Sequence, residues 1–342
     1  MRAVLETATQ DGHVVLTEVP AKKAGGAQPA TMTAWADHAE YRAADQVLEL
    51  TGHPRLRQGR TMELSAETID YHRATQDATA SGDVKATYAG NGTGNDTGKG
   101  TPSIGGNGPV EVIADRATMR QAKKQSYFYG TEASPARIWQ GSNSLQAPEI
   151  EIDRAGDVLK AGGGKPGAAP VVRASFVSSL GAGRSAGLVQ VWSRTLVYLG
   201  EKRRGDFQGL VTARQGDETI RAGEVQVFLK PAAAKGEGKP AAGPSSEIER
   251  LVASGDVVLR EPGRRGEGTR LVYTAADGKY VLTGTAEKPP QLWDRAHGTT
   301  RGEAVIFSSR TGSVEVRGGK AGAVTETEAP RPGAFAHGGG GL

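Results

Sequence analysis

The feature that most constrains the fold of this chain is a repeated order of short strand signals. The clearest copies span residues 34–84, 112–163 and 268–319, and a weaker copy spans 189–229. In each copy a strand ends near a large side chain. These side chains lie about 75–80 residues apart, which leaves room for several strands of ~5–6 residues per copy. They are Tyr41, Met119, Trp192 and Tyr273.

Within the clear copies, the same parts follow in the same order. A strand closes on glycine, at Gly52, Gly130 and Gly284, and a proline-bearing turn leads into the next strand. The sequence Ala-Ser-Gly-Asp-Val marks a last strand near residues 80–84 and recurs at 253–257. Between the turn and this last strand, further strands are predicted over residues 64–71, 145–152 and 303–307.

Apolar and polar residues alternate within these strands. Because side chains of a strand point alternately to its two faces, such alternation gives a sheet one apolar face and one wetted face. That pattern is typical of antiparallel sheets packed on one side. It is clearest in the segments 47–50, 149–152, 189–192, 224–228 and 313–316.

The repetition predicts an all-β protein. A single unit of short strands cannot bury its apolar face alone, so successive units are expected to stack into sheets with a shared apolar interior. Glycine at the corners would let the chain bend where a Cβ atom would clash. The side chains predicted to line the interior are Leu48, Leu50, Leu56, Leu64, Ile69, Ile138, Leu145, Ile150, Ile152, Leu271, Tyr273, Leu282, Leu292 and Ile306.

Four segments without periodicity separate the units. They are rich in Gly, Ala, Pro and polar residues, in a chain with 49 glycines and 17 prolines, and are predicted to be loops, linkers and a disordered tail. The predicted organisation is four β units at 1–88, 110–160, 171–230 (the weaker one) and 246–319, with linkers at 89–109, 161–170 and 231–245 and a tail at 320–342.

The first residues are predicted to form a strand pair with Asp11-Gly12 as its hairpin turn. The N-terminus lacks the apolar centre of a secretory signal, so the chain is expected to be a fragment of a longer exported protein. The chain contains no run of apolar residues whose length approaches the ~20 residues needed to span a bilayer.

Several of these motifs resemble the OstA/LptA family of lipopolysaccharide-transport proteins. Segments 36–41, 50–52, 56–59 and 66–71 carry the pattern best, and residues 268–319 carry it nearly as well. The resemblance covers about two thirds of the chain and rests on degenerate patterns. It implies an elongated, twisted β-jelly roll, often described as a β-taco.

The resemblance also implies a function. The expected protein is a periplasmic, non-enzymatic module whose apolar groove shields the acyl chains of lipopolysaccharide or another acylated lipid. Open sheet edges would pair with other OstA/Lpt-type β modules. Arg55, Arg57 and Arg137 could face lipid phosphates, although their placement at solvated strand positions is the favoured explanation.

No catalytic residue, metal site or cofactor is predicted. The chain has no cysteine, and its six histidines show no metal-ligand spacing. The string Gly183-Arg184-Ser185-Ala186-Gly187 matches a nucleophile elbow, but the residues after it are strand-like where that motif needs a helix. The net charge of +4 comes from interleaved basic and acidic residues, which favours a solvated surface over a nucleic-acid site.

The sequence is also compatible with two other functions. One is a structural β-repeat protein, a scaffold or adhesin-like array whose interior is filled by its own side chains. The other is a carbohydrate-active enzyme on a β-solenoid, which the absence of a carboxylate cluster disfavours. A groove open along one side favours lipid transport, whereas a fully packed interior favours the scaffold.

Overall fold

A computed structural model describes residues 6–19, 31–89, 103–106, 108–167, 169–178, 186–230, 247–295, 298–318, 322 and 324–326. The described strands form one continuous hydrogen-bonded network in which every pairing is antiparallel. This network folds along its middle into two facing layers, here called layer A and layer B. The prediction of an all-β jelly-roll fold built from repeated antiparallel strands is confirmed.

Eight long strands run through both layers. Each lies half in layer A and half in layer B, so these strands join the layers along a common spine. They are β1 (Thr7–Glu18), β2 (Met32–Arg42), β7 (Asp77–Tyr88), β8 (Val110–Arg120), β17 (Arg204–Gln215), β18 (Glu218–Leu229), β19 (Ile248–Glu261) and β20 (Arg264–Thr274).

The shorter strands belong to one layer each. Those of layer A are β3 (Val47–Thr51), β6 (Thr68–His72), β9 (Gln125–Tyr129), β12 (Glu149–Asp153), β13 (Val158–Gly162), β16 (Thr195–Leu199), β21 (Lys279–Thr283), β24 (Ala304–Ser308) and β25 (Val314–Arg317). Those of layer B are β4 (Arg55–Gln58), β5 (Met62–Ser65), β10 (Ala136–Gln140), β11 (Asn143–Ala147), β14 (Val172–Ser178), β15 (Gly187–Ser193), β22 (Gln291–Asp294), β23 (Gly298–Arg301) and β26 (Val324–Glu326).

Four of the eight long strands, β1, β7, β17 and β19, bend at β-bulges built from a glycine and the residue after it. The pairing register shifts at Gly82-Asp83 in β7, Gly209-Leu210 in β17 and Gly255-Asp256 in β19. Both residues of each pair have positive φ, from 76° to 81° at glycine and from 43° to 53° at its successor. Two successive left-handed residues turn the strand without ending it, so one strand can supply hydrogen bonds to both layers.

The same geometry corrects the expected N-terminal hairpin. Gly12 and His13 have φ values of 76° and 47°, and the register of β1 on β2 shifts between Asp11 and Val14. Residues 7–18 are therefore one strand that bends at the spine, and its partner is β2.

Two strands predicted as continuous are each divided at the spine. Residues 64–71 contain the end of β5 and the start of β6, and residues 145–152 contain parts of β11 and β12 on either side of Pro148. Glu67, one of the two residues between β5 and β6, donates its backbone N–H to the carbonyl of Gly82 at 2.8 Å. The crossing segments thus bind the bulges of the long strands and stiffen the spine.

The predicted units are not separated in the hydrogen-bonded ladder. Layer A continues from β9 through β12 and β13 to β16 and β17, across the expected boundary near residue 165. Most of the predicted linkers at 89–109 and 231–245 and of the tail at 320–342 lies outside the described residues. The division into four units therefore stays a prediction.

We expect Gly255→Ala to lower the free energy of unfolding by about 1–2 kcal/mol, because a Cβ atom disfavours left-handed backbone. A steric clash would not cause this loss, since the nearest atom to the added Cβ would belong to Gly223, at 3.4 Å. Gly255→Asn should cost less, because asparagine tolerates this region. Chemical denaturation measures both effects.

Gly162→Ala is the matched control. Gly162 does not have a positive φ, and its nearest added contact would be an ordinary 3.6 Å to Thr195. A loss of stability in this control as large as in Gly255→Ala would contradict the role assigned to the bulges.

Candidate functional site

The space between the layers is the candidate site and is here called the groove. Its walls are apolar on both sides: Leu50 and Ile69 project from layer A, while Leu56 and Leu64 project from layer B. A single cluster of buried side chains runs from Val14 in β1 to Phe307 in β24. The alternation read from the sequence therefore places one face of most strands in this interior.

Most of the residues predicted to line the groove lie in this cluster. Leu48 is only partly buried and packs against it, whereas Ile306 lies outside it. Ile306 projects to the outer face of layer A, because its neighbours Val305 and Phe307 take the interior positions of β24. Val305, Ile306 and Phe307 are all apolar, so the sequence does not show which of them face the interior and which face outward. This explains the incorrect placement of Ile306.

Polar contacts tie the two layers together across the groove. The hydroxyl of Tyr88 in layer B donates to Ser126 Oγ in layer A at 2.9 Å, and both residues are buried. Burial raises the pKa of Tyr88, so its hydroxyl stays protonated and available to donate. The Tyr71 hydroxyl similarly donates to Glu18 Oε2 across the groove at 3.1 Å.

Two more ties lie farther along the chain. The backbone N–H of Ile248, at the start of β19, donates to Ser178 Oγ at the end of β14. The guanidinium of Arg264 binds Asp294 at 2.6 Å and also donates to the carbonyl of Gly312 in the β24–β25 turn. These contacts hold the outer edges of the two layers close together at several points.

Aromatic rings fill the groove in the last copy of the repeat. The Tyr273 and Tyr280 ring centroids are 4.7 Å apart, and Tyr280 stacks on Phe307 at 4.6 Å. All three side chains are almost fully buried. This part of the interior is therefore a packed core.

An apolar cleft remains in the middle of the groove, with a volume of about 70 Å³. We call it the central cleft. Its layer A wall includes Leu196, Tyr198 and Phe207, and its layer B wall includes Leu145 and Phe176. Of these residues only Leu145 was predicted from the sequence, because the others belong to the weak copy and to the strand that precedes it. The alternation in residues 195–199 was the available signal.

A short loop covers one side of the central cleft. The side-chain oxygen of Gln140 accepts hydrogen bonds from the backbone N–H groups of Ile104 and Gly106, at 3.0 and 3.1 Å. Asn143 donates to the carbonyl of Ile104 at 3.0 Å. These bonds place the Ile104 side chain against the apolar cluster, where it lines the cleft.

A second and smaller cleft of about 50 Å³ lies near the start of the chain. Met32 and Met62 line it from layer B, and Met119 and Tyr71 line it from layer A. Methionine is unbranched and adapts to irregular space, so this wall can adjust more readily than one of β-branched residues.

The three arginines considered for phosphate binding lie outside the groove. Arg55, Arg57 and Arg137 alternate with the buried Leu56 and Ile138, so they project from the outer face of layer B. Arg55 forms an ion pair with Glu63 at 3.3 Å. Arg57 and Arg137 lie over tryptophan rings on the same face.

Other candidate chemistry gains no support from the geometry. In the described part of the chain, no three residues of the types His, Cys, Asp and Glu are grouped to hold a metal ion. Ser185 of the possible nucleophile motif lies outside the described residues. No helix among the described residues is long and apolar enough to cross a membrane.

Comparison with known proteins identifies a related family over part of the chain. Residues 190–313 match the family model described as LptA/(LptD N-terminal domain) LPS transport protein. The resemblance to the OstA/LptA family is confirmed by this match, which includes the layer A residues Leu196, Tyr198 and Phe207 of the central cleft. No curated protein matches the chain.

Among solved structures, one match is the crystal structure of LptH, the LptA-homologous periplasmic component of the lipopolysaccharide transport device of Pseudomonas aeruginosa. It shares 14% sequence identity with this chain. The superposition covers 42% of this chain and 90% of LptH, with a TM-score of 0.30.

We expect Tyr88→Phe to lower the free energy of unfolding by about 1 kcal/mol, because it leaves the buried Ser126 hydroxyl without its cross-groove partner. Ser126→Ala should have a similar effect. The double variant should lose less than the sum of the two, since both groups then disappear together. Chemical denaturation of the four proteins gives the coupling energy.

Tyr127→Phe serves as the control for the loss of a hydroxyl. Tyr127 lies on the outer face of layer A and its hydroxyl donates to Gln125 on the same strand. Additive effects of the Tyr88 and Ser126 substitutions would show that the tie contributes nothing to stability.

Proposed function

We propose that this chain, of which residues 190–313 match the family of LptA and the LptD N-terminal domain, is a non-enzymatic lipopolysaccharide-binding and transport module of the periplasm. In this function the groove shields acyl chains during outer-membrane assembly. The observation that carries the proposal is the central cleft, an apolar opening between the two layers, since most of its layer A wall, including Leu196, Tyr198 and Phe207, lies within the matched residues.

The driving force would come from the hydrophobic effect alone. Moving a methylene group out of water is worth about 0.8 kcal/mol, so a few acyl chains would suffice without covalent chemistry. The central cleft in its present form holds only a few methylene groups, at ~30 Å³ for a group the size of water. Binding a whole chain therefore requires Ile104 to move away and the groove edges to separate.

The hydrogen-bonded ties define where the groove can open. The central cleft lies between the Tyr88–Ser126 tie and the Ser178–Ile248 tie. Loosening the loop at Ile104 would enlarge the cleft while both ties keep the layers in register. The remaining predicted lining residues, such as Ile150 and Ile152 of layer A, would then extend the apolar wall.

The ends of the ladder offer a way to join other modules. Within the described residues, β1 pairs only with β2, and β25 pairs only with β24. Each therefore presents a free edge of backbone N–H and C=O groups to another strand. We propose that OstA/Lpt-type β modules pair edge to edge at these positions.

A structural β-repeat scaffold without a lipid ligand is the second candidate function. The aromatic stack of Tyr273, Tyr280 and Phe307 and the several cross-groove ties favour it, because they fill and close much of the interior. The two functions differ in whether acyl chains enter the central cleft.

Photo-crosslinking to lipopolysaccharide tests the proposal. A p-benzoylphenylalanine replacing Tyr198, which lines the central cleft, should crosslink to purified lipopolysaccharide after irradiation. The substitution keeps a phenyl ring at this position but adds a benzoyl group, so circular dichroism first establishes that the variant is folded. Gel mobility with detection of the lipid measures the product.

Val197 is the matched control position, because it is adjacent to Tyr198 and points to the outer face of layer A. The same amino acid at Val197 should give less than about one tenth of the crosslink. Equal yields at both positions, or no crosslink at Tyr198 together with no co-purified lipid by mass spectrometry, would favour the scaffold.

A further inference from the structure

All four tryptophans of the chain project from one surface, the outer face of layer B. Trp35 in β2, Trp139 in β10, Trp192 in β15 and Trp293 in β22 each alternate with buried neighbours that face the groove. They are spread along most of the length of the layer. Arg57 and Arg137 cover part of the Trp35 and Trp139 rings, whereas Trp293 is exposed. Tryptophan favours sites where one side is apolar and the other is wet.

The same face carries an excess of positive charge. Among the side chains that the structure describes, ten basic ones project from the strands of this face and all are exposed, against three carboxylates, which belong to Glu63, Glu111 and Glu267. In the first half of the layer the basic residues are Arg55, Arg57, Lys85, Arg137 and Arg173.

The second half of the layer continues the pattern. Of the ten basic residues, only Arg55, Lys85 and Arg265 have a carboxylate partner within the described chain. The other seven are therefore available to an external anion. The basic residues of this half are Arg214, Arg221, Arg260, Arg265 and Arg301.

The outer face of layer A is different. Carboxylates are about as frequent there as basic side chains, and some form ion pairs, as do Lys160 with Glu151 at 3.2 Å and Arg204 with Asp206 at 2.7 Å. The positive field of the molecule is therefore concentrated on one side, although the net charge of the whole chain is only +4.

Exposed aliphatic side chains accompany the arginines of layer B. Val15, Ile113, Val177 and Leu188 project from this face and are between 39% and 56% exposed. Trp293 is also 46% exposed. Aliphatic groups next to arginines do not help to bind a nucleic acid, whose recognition relies on phosphate contacts and stacked bases.

We propose that the outer face of layer B lies on the surface of an anionic phospholipid bilayer. Its arginines would bind the phosphates, its tryptophans would enter the headgroup region, and its aliphatic side chains would reach the boundary of the acyl layer. The attraction of Lys and Arg side chains to a charged membrane adds up, so several together give stable attachment.

A concave site on this face fits a lipid headgroup. Trp192, Arg214 and Arg221 line it together with Thr212 and Thr219, and its volume is about 520 Å³. One carboxylate, that of Asp217, also lines the site, so the two arginines leave it with a net positive charge. Two guanidinium groups beside an indole ring can hold a phosphate while the ring packs on the glycerol and upper acyl carbons. The inference goes beyond the proposed function, since a bilayer can bind here whether or not the groove holds acyl chains.

The test uses the full chain and vesicles free of lipopolysaccharide. The protein should sediment with vesicles of phosphatidylglycerol and phosphatidylcholine in a 3:7 ratio, but not with pure phosphatidylcholine. Its tryptophan emission should shift to shorter wavelength and be quenched by brominated lipids. Because all four tryptophans lie on this face, the emission monitors this face alone.

Replacing Arg137, Arg173, Arg214 and Arg221 by glutamine should weaken vesicle binding at least tenfold. The matched control replaces Arg116, Arg250, Arg270 and Lys279 of the layer A outer face by glutamine, which changes the net charge equally. Leu188→Ser should reduce the blue shift of the tryptophan emission, because it removes an inserting side chain.

Three results would overturn the proposal. They are equal vesicle binding by both fourfold variants, vesicle binding without any change in tryptophan emission, and binding to a single-stranded RNA oligonucleotide without binding to vesicles. Circular dichroism of each variant establishes that it is folded. The crosslink at Tyr198 is measured in the absence of vesicles, so it succeeds or fails independently of this face.

Discussion

Every other feature of the structure depends on the left-handed glycine bulge at the spine. At Gly12, Gly82, Gly209 and Gly255 a strand changes direction while its hydrogen-bonded ladder continues on both sides. The two layers are therefore held facing one another by covalent chain as well as by apolar packing. The groove, its ties and the two outer faces all follow from this arrangement, because the bulges fix which side of each half-strand faces inward.

The sequence predicts much of this architecture but not its topology. Alternation and repetition indicate the strands and most interior residues correctly. Asp11-Gly12 was misleading because a tight hairpin and this bulge both need consecutive positive φ values, and only the long-range pairing of Val14 with Ala36 distinguishes them. A change of phase was visible between Leu64 and Ile69, which are five positions apart and yet both face inward, since an odd spacing requires a break in the strand.

The candidate site is less predictable than the fold. Whether a buried leucine packs against another wall or lines a cleft depends on the side chains opposite, as the contrast between Leu282 and Leu196 shows. Tyr273, predicted as a lining residue, instead belongs to a packed aromatic stack. The outer face of layer B could not be predicted from net charge or composition, because its arginines are brought together only when strands distant in sequence become neighbours.

The continuous ladder also determines how the molecule would respond to tension. Strands lie across the long axis, so a force that pulls its two ends apart acts perpendicular to them and breaks one strand pair at a time. Such peeling needs less force than sliding whole strands past one another, because few hydrogen bonds carry the load at once. The cross-groove ties would interrupt the peeling wherever they occur, so the molecule should extend in steps.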